Sequence, residues 1–278
     1  MLLELEKTDQ KIIFIFDEFP SMLDKIVEQS GREVAQQFMA WFRSVRLEQK
    51  DVLRRHRFIV AGSIGIDIIL RRIDAADKLV DFQRLYVEPL DRWVADRLAF
   101  DLAESLEIDW KPEMTEHLLE LIGLPVPYFL HLFFSQLAVL PLSERRALKK
   151  ETLDSIYRKR VLGPSCKQYF EHYRARLRKR YGASGEKAAL ALLGAVAGSP
   201  RGLVSRSALY DFYRKARGKC ASDGDFDGIL GDLESDWYLV LDTNTNEYHF
   251  MLNIMRDWWL RWFPASTSRR ITKGAPRS

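Results

Sequence analysis

Two short apolar runs constrain what this chain can fold into. Residues 11–16 read KIIFIF and end on the paired acids Asp17 and Glu18, and residues 57–61 read RFIVA and end on Gly62 and Ser63. Runs of this length, rich in Ile, Val and Phe and closed by turn residues, predict strands buried on both faces, as in a parallel sheet covered by helices. Between them Val34, Phe38, Trp41, Phe42 and Val45 recur at spacings of three and four, which predicts a helix with that face inward. Strand, helix, strand in that order is a parallel crossover unit. A third short strand is predicted at Leu85–Val87, ahead of Pro89.

From Asp91 onward the pattern turns helical. Val94, Leu98, Leu102 and Leu106 repeat at period four; Met114, Leu118, Leu119 and Ile122 continue it; Phe129, Leu132, Phe133 and Leu137 form another apolar face. A charged helical stretch then runs from Ser143 to Tyr181, with basic clusters at Arg145-Arg146, Lys149-Lys150, Arg158-Lys159-Arg160 and Arg174 to Arg180. Gly182-Ala183-Ser184-Gly185 reads as a hinge. Beyond it come a helix over 186–197, a second over 205–216 with Ser205 as N-cap, and a third near 226–236. Strands follow at Trp237–Leu241 and Glu247–Met251, joined by the polar turn 242–246. A last amphipathic helix carries Ile254, Trp258, Trp259 and Trp262. That is the order of a winged-helix domain. From Pro264 the composition predicts disorder.

The chain has 278 residues, 47% hydrophobic and 29% charged, which suits two domains and a full core. Its net charge of +4 is a small basic bias, compatible with nucleic acid but not diagnostic. Cys166 and Cys220 form no CxxC pair, so neither a disulfide framework nor a thiolate zinc site is indicated, which points to a reducing, cytoplasmic setting. The first ten residues carry no basic n-region of the kind that opens a signal peptide. The most apolar stretch, Pro127–Leu142, is too short and too polar to span a membrane.

Asp17-Glu18 at the end of a buried strand puts two adjacent carboxylates where open α/β sheets bind ligands. The structural alternative is that they cap the strand before Pro20. With its context, the segment resembles the Walker B strand of AAA+-like P-loop ATPases. Ser63, after the next strand, matches the first sensor. Leu121–Leu130 (LIGLPVPYFL) resembles the Gly-x-Pro helix start in the lid of the archaeal-type, STAND-like group. Glu247–Trp259 (EYHFMLNIMRDWW) resembles the winged-helix terminus that follows that lid.

The resemblance implies a partial P-loop α/β core over 1–90, a helical lid with connecting helices over 91–181, a winged helix over 182–263 and a tail over 264–278, mostly helical overall. It implies that Asp17 helps hold Mg²⁺, that Glu18 orients the attacking water of ATP hydrolysis and that Ser63 senses the γ-phosphate.

The chain also departs from that family. No GxxxxGK[ST] phosphate loop is present: Gly218-Lys219 is followed by Cys220, with Tyr213 where the first glycine would stand. The loop, its helix and the second strand would lie upstream, so the absence reads as truncation, and the chain alone is expected to bind ATP poorly. The missing central strand would sit between Arg57–Ala61 and Leu85–Val87. The Gly-x-Pro helix has no arginine to act as second sensor. Arg71-Arg72 could serve as an arginine finger or be solvated surface charge.

Three other patterns carry alternatives. Asp223 to Glu234 fits a calcium loop, D-x-D-x-D-G-x₅-E, but Asp225 or Asp227 capping the third helix is the favoured reading. The run Arg174–Arg180 could touch a DNA backbone or be a solvated face. The third helix carries Asp225, Asp227, Asp232, Glu234 and Asp236 and no Lys or Arg, which predicts a domain that faces protein rather than reading DNA. The function expected is therefore an ATPase module lacking its own phosphate loop. The alternative is a non-enzymatic protein- or DNA-interaction module acting through the winged helix.

Overall fold

The computed structural model describes residues 11–47, 56–62 and 65–263. The chain forms two compact units, residues 1–86 and 87–278.

In the first unit, strands β1 (Ile13–Phe16) and β2 (Arg57–Val60) are parallel neighbours, with Phe14 opposite Phe58 and Phe16 opposite Val60. The crossover between them contains two helices, α1 (Phe19–Ser30) and α2 (Arg32–Leu47), which turn on Gly31 at φ 91°. Alternation along each strand sends Phe14, Phe16, Phe58 and Val60 toward these helices. Phe19, Leu23, Ala35, Met39 and Phe42 form the core there, joined by Ile69 and Leu70 of α3 (Ile66–Arg72).

Three expectations for this unit are corrected. Among the described residues the strands are covered on one face: Ile13, Ile15 and Ile59 point away from the helices, and Ile15 is 68% exposed. The buried stripe of α2 is Ala35, Met39 and Phe42, leaving Val34 and Trp41 exposed. Docking against α1, which the sequence reading missed, turns the small Ala35 inward. Leu85–Val87 is not a strand: β1 and β2 pair only with each other among the described residues, so this segment has no ladder to join, and Val87 is 89% exposed.

The second unit begins with α4 (Arg92–Ser105), whose buried stripe is Ala95, Ala99 and Ala103 with Leu98, Leu102 and Leu106 at its flank. Helices α5 (Pro112–Ile122) and α6 (Pro127–Leu137) both start on proline, whose fixed φ suits the first turn. Gly123 between them has φ 102°, and a Cβ there would lie 2.7 Å from the amide nitrogen of Asn253. The expected charged helix is broken into α7 (Leu142–Arg145), α8 (Lys150–Ile156) and a π turn, Tyr157–Val161, before α9 (Gln168–Gly198). The predicted hinge is a kink at one residue: α9 is two helices that meet at Gly182, with φ 62° and ψ −174°.

After β3 (Val204–Ser205) come α10 (Arg206–Arg217) and α11 (Asp223–Ser235). Ser205 caps α10 by accepting from the Ala208 amide, as expected. The cap of α11 is Ser222, which accepts from the Asp225 amide; neither Asp225 nor Asp227 serves. The helix thus occupies the would-be calcium loop. Strands β4 (Leu239–Asp242) and β5 (Glu247–Phe250) form the hairpin, and the antiparallel sheet has the order β3-β5-β4. Helix α12 (Asn253–Trp262) closes the unit and buries Trp258 and Trp259. Trp258 stacks on Phe170 at 5.4 Å, and Phe170 on Phe129 at 5.8 Å, so one aromatic column links α12, α9 and α6. Among the described residues no single helix is long and apolar enough to cross a membrane.

Candidate functional site

The paired acids lie where the sequence places them, in the turn between β1 and α1, and both are exposed. Two backbone bonds fix that turn against the neighbouring strand. The Ala61 amide donates to the Phe16 carbonyl at 2.9 Å, and the Phe19 amide donates to the Ala61 carbonyl at 2.9 Å. The ends of β1 and β2 are therefore held together beyond the strands themselves.

Glu18 has φ 52° and ψ 35°, the left-handed region that a residue with a Cβ seldom occupies. Strain of this kind costs about 1–3 kcal/mol and persists where surrounding bonds impose it. Here the Glu18 amide donates to Asp17 Oδ1 at 2.8 Å, the Glu18 carbonyl accepts from the Met22 amide at 3.0 Å, and Oε2 accepts from Ser21 Oγ at 3.0 Å. The reversal lets Pro20 start α1 at once and leaves both carboxylates at the helix N-terminus, where the dipole favours negative charge.

An exposed acid pair in this position can hold a hydrated cation and orient a water molecule. Among the described residues no group of three or more His, Cys, Asp or Glu side chains could hold a metal ion directly. The described residues also offer no glycine-rich loop to cradle phosphates.

Ser63 lies outside the described residues, so it cannot be placed against Asp17 and Glu18; the tail 264–278 lies outside them too. Arg72 is ion-paired with Asp24 of α1. Arg84 makes a bidentate pair with Asp67, both bonds at 2.7 Å. The sequence reading missed Ser21, although a hydroxyl residue three positions after Glu18 at a helix start was a usable signal.

On α11 and at its C-cap, Asp236, acids fold back onto neighbouring elements. Asp223 accepts from Tyr210, Asp225 from Tyr213 at 2.7 Å, Asp227 pairs with Arg206, and Asp236 pairs with Arg180 at 2.5 Å. Of the Arg174–Arg180 run, Arg180 is thereby engaged and half-buried. Arg174 lies 3.9 Å from Glu186 and 4.7 Å from the Phe263 ring centroid.

The fold is similar to that of the Walker-type ATPase Paby2304 of Pyrococcus abyssi, with a TM-score of 0.55 at 17% identity, over 89% of this chain and 63% of that one. This likeness supports a P-loop ATPase-like fold, and the chain spans less than two thirds of that ATPase's length. No protein-family model matches the chain, and no curated protein matches it.

Proposed function

We propose that this chain is the Walker B-to-C-terminus part of an AAA+-like, STAND-type ATPase, with Asp17 facing Mg²⁺, Glu18 facing the attacking water and Ser63 as sensor. The observation that carries this is the parallel β1–β2 pair with an exposed Asp-Glu at its carboxyl end, tied to the next strand through Phe19 and Ala61. Bound ATP and Mg²⁺ would supply the phosphoanhydride bond and its charge neutralisation. These 278 residues contain no phosphate loop, so on this reading the phosphate-binding groups come from another segment.

The order α9, β3, α10, α11, β4, β5, with α12 closing it, supports the winged-helix reading of 182–263. The first 90 residues would be the core and 91–181 the lid. A cytoplasmic setting follows from cysteine usage. The favoured partner of the winged helix is protein, because α11 brings acids and no Lys or Arg.

Titration of the purified chain with a fluorescent ATP analogue and Mg²⁺ tests the division of labour. No saturable binding in the micromolar range is expected. Micromolar binding would show that the chain makes its own phosphate site, against this reading.

A further inference from the structure

Charge is distributed unevenly along the chain. Residues 143–181 hold thirteen Lys or Arg and four Asp or Glu, a net of +9 in a chain whose total is +4. Many of these cations are engaged: Arg146 with Glu107, Lys167 with Glu171, Arg174 near Glu186 and Arg180 with Asp236. Arg158 and Lys159, on the π turn, are exposed and have no carboxylate partner among the described residues, and the same holds for Arg261 on the last turn of α12.

Two of these groups meet in space, and Lys159 is the residue next to Arg158 on the same exposed turn. Arg261 donates to the Arg158 carbonyl, and both side chains line an open cleft of about 450 Å³. The acid in that cleft, Asp257, accepts from the Tyr157 hydroxyl at 2.9 Å. A helix carboxyl end is equivalent to roughly half a negative charge, so the end of α12 offsets a fraction of one cation and not three.

We propose that Arg158, Lys159 and Arg261 form a sequence-independent contact for the phosphate backbone of duplex DNA, separate from the Asp17-Glu18 site and from α11. Affinity for a phosphate backbone comes from cations that replace its counterions, and among the described residues no carboxylate neutralises these three. An anionic membrane would require a broad apolar face beside the cations, and of the cleft's leucines, Leu121, Leu162 and Leu260, only Leu260 is exposed. The large aromatic neighbour, Trp262, is instead held in place: its indole N–H donates to the Leu162 carbonyl at 3.0 Å, and Lys167 lies 4.6 Å from its ring centroid.

The test is fluorescence anisotropy of the full chain with two unrelated labelled duplexes of about 20 base pairs, over a salt series of about 50–200 mM. Both duplexes should bind with equal affinity. The triple variant Arg158→Glu, Lys159→Glu, Arg261→Glu should lose at least ~tenfold, with a log–log salt slope shallower by about 2.7, the value for three phosphate contacts. The glutamine triple should show an intermediate loss at an unchanged melting temperature, which separates lost contacts from lost folding. Lys25→Glu, an exposed cation on α1, should bind as wild type. The proposal is overturned if the wild-type chain fails to bind at low salt, if either triple keeps the wild-type slope, or if Lys25→Glu is equally impaired. Capture by phosphatidylserine vesicles without duplex binding would also overturn it.

Discussion

The Phe19 amide donates to the Ala61 carbonyl at 2.9 Å, which joins the first residue of α1 to the end of β2. Through that bond the position of the Asp17-Glu18 turn depends on a strand about 40 residues away, beyond the reach of any local pattern.

Two glycines should respond in opposite directions to alanine. Gly123 combines φ 102° with the close approach of Asn253, so Gly123→Ala should destabilise the second unit by at least about 2 kcal/mol. Gly228 is an exposed helical position with open space around its would-be Cβ, so Gly228→Ala should stabilise by about 1 kcal/mol. Thermal melts of the two variants check both signs.

Arg46 and Asp81 should make the stability of the first unit depend on acid pH. Arg46 packs against the rings of both Phe42 and Phe82, at 4.4 and 4.5 Å from their centroids, and gives Asp81 two hydrogen bonds of 3.0 and 2.9 Å. Those bonds hold the Asp81 carboxyl below its ordinary 3.8. Because the folded-state value is the lower one, the stabilisation is complete above the unfolded value and is lost as pH falls through the folded one. Asp81→Asn should cost about 1–3 kcal/mol at pH 7, and the difference from wild type should shrink as pH drops below 3.8. Urea unfolding at several pH values measures it. A penalty that stays constant with pH would remove the ion pair from the account.

Ca²⁺ should leave the melting temperature unchanged. α11 starts at Asp223 and runs through Asp225 and Asp227, whose carboxylates are engaged by Tyr213 and Arg206 rather than converging on one point. A rise in Tm with millimolar Ca²⁺ would contradict this.

Much of the architecture could be read from the sequence because local signals and tertiary demands agreed. The KIIFIF and RFIVA runs became the parallel pair, Ser205 became a cap, and the polar turn 242–246 joined a hairpin. The misreadings arose where packing partners decide. Helix α1 was not read from the sequence, although Pro20 fits its first turn. Val34 and Trp41 gave way to Ala35 and Met39 in the core, because a small residue allows a closer helix contact than a large one. Leu85–Val87 has strand composition without a strand to pair with. At the candidate site the two carboxylates were legible, whereas the left-handed Glu18 and its Ser21 bond depend on the turn that Phe19 and Ala61 enforce.

Steady-state ATP hydrolysis tests the central claim most directly. It should be measured on a polypeptide that joins this chain to a phosphate-loop strand and helix, alongside its Glu18→Gln variant. Glutamine keeps the shape of Glu18 and removes the charge that orients water. Hydrolysis should therefore fall by roughly 10²-fold or more while ATP binding persists. A Glu18→Gln enzyme that hydrolyses ATP at the wild-type rate would contradict the assignment of the Asp17-Glu18 turn as the catalytic end of the sheet.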